Sequence, residues 1–174
     1  LGIGDVIVVS EPISGNVIVS PADSGVTILG TPGGRISGNL TINGAQGVLV
    51  QRLRVDGSVA VNNATEITFE TSILNSVNLL GGNQLRLLDS HVNALAIQSA
   101  ANEVVIQGAS VGQLNIGSST ALSISRSEIS EFVLQAATSG EIFDNQITHL
   151  SINAAVVGSI HDNRIGGGNV GLHY

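Results

Sequence analysis

The sequence predicts an all-β solenoid, and three observations carry that prediction. Three consecutive units, 114–131, 132–149 and 150–167, superimpose without a gap at a period of 18 residues. Within each unit apolar residues recur two apart, the spacing of side chains that share one face of a strand. The apolar set is also narrow: 43% of the chain is hydrophobic, yet there are three Phe, one Tyr and no Trp or Met. Val, Ile, Leu and Ala must therefore fill a thin and regular cross-section.

Read in order, residues 1–174 form a single domain. Residues 1–16 are an irregular first coil or cap, with Ile7, Val9 and Ile13 at inward positions. Residues 17–39 form a coil whose turn is expanded by Gly30, Thr31, Pro32, Gly33 and Gly34, a run that reads as a loop. From 40 to 167 the units are regular, starting at Leu40, Val59, Val77, Leu95, Leu114, Phe132 and Leu150 with spacings of 18 or 19 residues. A vestigial start at Gly168 leaves 168–174 as an incomplete last coil.

Aligned units give columns whose chemistry is uniform. Leu40, Val59, Val77, Leu95, Leu114, Phe132 and Leu150 make one inward column, with Ile42, Val61, Leu79, Ile97, Ile116, Leu134 and Ile152 beside it. A second strand supplies Val50, Phe69, Leu87, Ile106, Ile124, Ile142 and Ile160, and a third Val55, Leu74, Val92, Val111, Ile129, Ile147 and Ile165. Like residues then stack at about 4.8 Å per coil, the distance between strands of a sheet. A further column is small throughout, through Ala22, Ala45, Ala64, Gly82, Ala100, Ser119, Ala137 and Ala155, and reads as an inward bend. At another corner Ser72, Ser90, Ala109, Ser127, Asn145 and Asn163 align as a polar ladder, each bond contributing ~1 kcal/mol net.

A left-handed hexapeptide coil would need an aliphatic residue every six positions. Stepping by six from Leu114 meets Thr120 and Arg126, and from Leu150 meets Val156 and Asp162, so the hexad fails. Unequal strand intervals and the right-handedness of parallel crossovers leave a right-handed parallel β-helix of about nine coils.

Composition excludes several function classes. All six basic residues are Arg and the formal charge is −7, so a polyanion such as nucleic acid is repelled. Without Cys there is no disulfide framework or thiolate metal site. The apolar runs are far too short for a membrane span. The first residues, LGIGDV, lack an initiator Met and a signal-peptide pattern, so the chain reads as a piece of something longer.

These residues resemble the right-handed parallel β-helix repeats of the pectate-lyase-like superfamily, most clearly at Asp144-Asn145-Gln146-Ile147 and Asp162-Asn163-Arg164-Ile165. The resemblance covers nearly the whole chain but is architectural. It implies a fold shared by pectate and alginate lyases, polygalacturonases, mannuronan epimerases, phage tailspikes, adhesins and noncatalytic surface modules, and a fold does not choose among them. Those enzymes' signatures find no counterpart here: there is no Asp-Asp pair with a downstream His-Gly, no Lys and no Asp-Pro-His, and the coils are shorter than the enzymes'.

The sharpest candidate site lies on the last coils. Glu141, Asp144, His161 and Asp162 are the candidate catalytic groups, because carboxylates and imidazoles there could act as acid and base or bind Ca²⁺. Phe143 and His149 are the candidate binding residues, with Phe143 facing outward one coil before His161 as a sugar-stacking platform would. Asp144 and Asp162 also share a turn column with Arg126, the ordinary place for exposed charge. Arg52 and Arg54 beside Asp56, with His91 at an outward corner, offer an anion contact or a solvated surface. The Gly-rich runs 31–34 and 166–168 lack the Lys-Ser/Thr and helix of a phosphate cradle. Two glycosylation triplets, Asn39-Leu-Thr41 and Asn63-Ala-Thr65, are what chance gives in a chain with 15 Asn. The outward column Thr41, Ala60, Asn78, Ala96, Asn115, Val133 and Ser151 lacks the Thr row of an ice-binding face.

The functional expectation is a noncatalytic module of a secreted or cell-surface protein, a rigid scaffold or an adhesive face for polysaccharide or protein, with no cofactor unless Ca²⁺ binds. The alternatives are a polysaccharide lyase, hydrolase or epimerase acting from the C-terminal coils, and a trimeric fibre or tailspike segment. The last coil, with Ile152, Ile160 and Ile165 at its edge, is expected to need a continuing neighbouring module or a capping partner beyond Tyr174.

Overall fold

The computed structural model describes residues 2–98, 101–117, 119–135, 138–153 and 156–166. Their strands join a single 18-stranded sheet in which every named pairing is parallel, wound as a β-solenoid of about eight turns. Each regular turn contributes three strand segments. The first is 40–43, stacking on 59–62, 77–80 and onward to 150–152. The second begins at 49–51 and reaches 159–161. The third runs from 35–36 to 164–165 and continues into the next first segment, as in strands His91–Ile97 and Ser110–Ile116.

The period-two pattern explains the burial. In His91–Ile97, Val92, Leu95 and Ile97 are buried while the residues between them are not, and the same alternation recurs in Glu128–Leu134 and Gln146–Ile152. All four aliphatic columns stack in the register set by the sequence spacing, Leu40 on Val59 on Val77 and onward to Leu150, and Val50 on Phe69 on Leu87 and onward to Ile160. Phe69 and Phe132 take their places in these columns fully buried, so the interior accepts an isolated ring where its neighbours above and below are aliphatic.

One corner recurs unchanged. Arg52, Thr71, Asp89, Gly108, Arg126, Asp144 and Asp162 all have φ between 47° and 63°, the left-handed region, and each precedes the third segment by two residues. The residue after each of these, Leu53 and Ala109 excepted, is a rung of the ladder. Ser72 Oγ accepts the Leu53 N–H (3.2 Å), Ser90 Oγ the Ser72 N–H (3.0 Å), and Ser127 Oγ the Ala109 N–H (3.2 Å). Asn145 Oδ1 accepts the Ser127 N–H (2.9 Å) and Asn163 Oδ1 the Asn145 N–H (3.0 Å). The same side chains donate back across the corner, Ser127 Oγ to the Ser125 carbonyl (2.9 Å) and Asn145 Nδ2 to that of Phe143 (2.8 Å). Ala109 carries no oxygen, so the ladder is interrupted between Ser90 and Ser127.

A second ladder, absent from the sequence reading, holds the first coils at a different corner. Asn16 Oδ1 accepts the Asn39 N–H (2.9 Å), and Asn39 Oδ1 accepts both the N–H (2.9 Å) and the Oγ–H (3.0 Å) of Ser58. The glycines beside it permit the approach: a Cβ at Gly38 would lie 2.5 Å from the Gly15 carbonyl oxygen, and one at Gly57 2.4 Å from that of Gly38. Asn39, one of the two glycosylation triplets, thus has its side-chain oxygen committed to the fold.

The small column needs correction. Ala45 and Ala64 are buried, but Ala22 is exposed in a 3-10 helix, Pro21–Asp23, that stands outside the winding. Ser20 bonds to the Asp23 carboxylate through its N–H (2.9 Å) and hydroxyl (2.7 Å), bonds that hold Asp23 below the usual carboxylate range. Ala100, Ala137 and Ala155 lie outside the described residues. The stack above Ala64 instead runs Gly82, Ala101, Ser119, Thr138 and Val156. The extra residue of the unit 95–113 enters before this position, between Ile97 and Ala101, whereas that of the unit 40–58 enters after it, between Val55 and Ser58; between Ser119 and Leu122 the register shifts again. The terminal stretch 167–174, including the expected last coil, also lies outside the described residues.

Two substitutions test the ladder. Ala109→Ser should supply the missing acceptor for the Ser90 N–H and stabilise the fold by about 1 kcal/mol. Asn145→Ala, which strips a buried corner of one acceptor and its donors, should cost about 1 to 3 kcal/mol. Urea unfolding midpoints at constant slope measure both.

Candidate functional site

The last described coils are built from strands Thr138–Phe143 and Val156–His161, paired in parallel so that Glu141 stands over Ser159, Ile142 over Ile160 and Phe143 over His161. Ile142 points into the core. Alternation therefore turns Glu141 and Phe143 outward. The Phe143 ring and the His161 imidazole stack face to face, with centroids 5.5 Å apart and planes within 6° of parallel. His161 Nδ1 lies 2.8 Å from Asp162 Oδ2, and both side chains are open to solvent, at 46% and 74% exposure. The solenoid period brings Phe143 and His161 together, because residues 18 apart occupy the same place on successive turns, and Asp162 is the next residue in the chain.

The other candidates are placed differently. Asp144 and Asp162 are the left-handed corner residues after their strands, in one column with Arg126, so their positions follow from the winding. Glu141 is exposed two residues before Phe143 on the same side. His149 belongs to strand Gln146–Ile152, in register with Glu131, and is not on the strands that carry Phe143 and His161. Glu131 in turn accepts a bond from Gln113 Nε2 (3.1 Å). Among the described residues no group of three or more His, Asp or Glu side chains comes close enough to hold a metal ion, Ca²⁺ included.

The arginines divide between two places. Arg54 Nε meets Asp56 Oδ1 at 2.6 Å, and Arg35, one turn earlier in the same column, reaches the other oxygen at 3.5 Å. The sequence reading missed Arg35, although its spacing of 19 residues from Arg54 marks the pairing. Arg52 stands apart at the corner, beside an open depression of about 390 Å³ lined with Gly30, Thr31, Pro32 and Thr71. His91 is exposed and its Nε2 lies 3.1 Å from Asn93 Oδ1, while Asn93 Nδ2 donates to Asn75 Oδ1 (3.1 Å). These last amides, with Arg54, Asp56 and Ile73, border a second shallow depression of about 310 Å³. Each surface is polar and open, and an exposed ion pair of this kind contributes little to stability.

Comparison with known proteins returns no matching family, curated relative or solved structure.

The aromatic stack is measurable directly. Phe143→Leu should cost about 0.5 to 1.5 kcal/mol and remove the ring-current shifts of the His161 Cδ2 and Cε1 protons. Unchanged imidazole resonances in that variant would mean that the two rings do not stack in solution.

Proposed function

We propose that the chain is a noncatalytic module of a larger secreted or surface protein, a rigid rod that sets distance and presents flat faces to carbohydrate or to another protein. The observation that carries this reading is the regular stacking of the four aliphatic core columns from Leu40 to Ile165, which runs through the turns that bear the candidate residues. A site that does chemistry commonly interrupts such regularity with a cleft and inward polar groups. Here Glu141, Asp144, His161 and Asp162 are exposed on the outside of regular turns. Kinship with the right-handed, pectate-lyase-like β-helix proteins belongs to the same proposal and is supported by the asparagine and serine ladder at one corner. Incubated with acidic and neutral polysaccharides, with and without Ca²⁺, the protein should generate no unsaturated or reducing ends; release of either would overturn the reading.

One observation favours the enzymatic alternative. The imidazole of His161, fixed between the Phe143 ring and the Asp162 carboxylate, is oriented as a general base would be. That reading requires turnover on a polysaccharide which Asp144→Ala and His161→Ala abolish while leaving the melting temperature unchanged.

A further inference from the structure

The formal charge of −7 is unevenly spread over the winding. The seven rows 40–43, 59–62, 77–80, 95–98, 114–117, 132–135 and 150–153 contain no Asp, Glu, Lys, Arg or His at all. The other two segments carry charges of both signs, with Arg86 and Glu141 on the second and Arg54 and Glu128 on the third, and further acids, Glu66, Asp89, Glu103, Asp144 and Asp162, lie at left-handed positions between segments. Outward positions of the uncharged face are Ala, Asn, Gln, Ser, Thr or Gly, apart from Leu80, 42% exposed, and the half-buried Val133. Two copies of an acidic chain repel each other, and this is the face on which they can meet without bringing like charges together.

We propose that this face binds a second copy of the chain, in a dimer whose solenoids run antiparallel about a two-fold axis through the row 95–98. The distribution of side-chain size argues for that axis. It sets Leu80 of each copy over Gly117 of the other, where a shallow depression of about 240 Å³ is lined by Ala96, Gln98, Asn115, Gly117 and Gln135. It sets Ala60 against Val133, again small against large, and Asn78 against Asn115, two amides able to bond as donor and acceptor. Ala96 meets its own copy on the axis. The nearest charge, Glu131, just precedes its row and faces Ser58 of the other copy. An isologous contact needs this reciprocity, in which residue i meets j and j meets i. All seven rows overlap under this operation, because 95–98 is the middle row. Seven rows at ~4.8 Å by four residues at ~3.3 Å give a flat patch of roughly 34 Å by 13 Å. That is about half the ~800 Å² per partner of a standard interface, so the dimer is weak and reversible. The proposal does not depend on the scaffold reading and survives a positive result in the polysaccharide assay.

Because the chain has no Cys, single cysteines report the geometry without background. Sedimentation velocity from micromolar to millimolar protein should show a monomer–dimer equilibrium. Ala96→Arg should weaken it by at least about tenfold, since two guanidinium groups would meet on the axis, with circular dichroism and melting temperature confirming the fold. With a short bismaleimide, Ala96→Cys should cross-link to a dimer. Ala60→Cys should not do so alone, but should cross-link when mixed with Val133→Cys. A monomer at millimolar concentration, a trimer, an Ala96→Arg variant that dimerises like the parent, or efficient cross-linking of Ala60→Cys with itself would each overturn the proposal.

Discussion

The fold depends on turning one corner the same way on every coil. Between the second and third segments the chain turns at a single left-handed residue, at Arg52, Thr71, Asp89, Gly108, Arg126, Asp144 and Asp162. For a residue with a Cβ that conformation costs roughly 1 kcal/mol or more, least for Asp. At five of the seven corners the cost is offset by the next residue, whose side-chain oxygen takes the N–H of the coil before it and whose donor bonds back to the carbonyl that precedes the turn. Two coils lack an oxygen on this rung: Ala109 follows Gly108, which has no Cβ to strain, whereas Leu53 follows Arg52, which takes the left-handed conformation without that bond. A Cβ at Gly108 would in any case lie 2.1 Å from Asp89 Oδ1.

Once the corner is fixed, stacking does the rest, and this is why so much was legible in the sequence. A parallel winding converts a spacing of 18 or 19 residues into contact, so the four aliphatic columns, the serine and asparagine corner and the meeting of Phe143 with His161 all follow from arithmetic on residue numbers. What arithmetic cannot locate is the point within a unit at which an extra residue enters. A 19-residue spacing between Leu95 and Leu114 is compatible with an insertion on either side of the small column, and backbone pairing of Gly82 with Ala101 decides it. The first coils were harder for the same reason. Val17 pairs with Leu40 at 23 residues, and the ladder Asn16, Asn39, Ser58 steps by 23 and then 19, too irregular to emerge as a repeat.

The outer surface shows how a chain without Lys manages its carboxylates. Gln51 donates to Glu70 (2.9 Å), Gln84 to Glu103 (2.7 Å) and Gln113 to Glu131 (3.1 Å), each glutamine lying one coil before its acid. An amide can fill this place where an ammonium would, because exposed charges a few ångströms apart interact by only about 1 kcal/mol in water. These acids also alternate along the winding with neutral neighbours: Glu128 stacks on Gln146, and Glu141 lies between Ser123 and Ser159.

Asp144 and Asp162 break that alternation. They are the one pair of carboxylates among the described residues that the winding stacks directly, following the register of Phe143 on His161. The corner accounts for it, since aspartate is well suited to the left-handed conformation and both units need that turn. The juxtaposition is relieved on both sides: Arg126 occupies the same corner one coil before, and His161 binds the second carboxylate at 2.8 Å. The cluster that looks most like chemistry in the sequence is therefore assembled by a backbone requirement, with a cation and an imidazole placed where two negative charges would otherwise face each other. Solvent reaches the contact, with His161 and Asp162 exposed at 46% and 74%, and the two aspartates mark the turn.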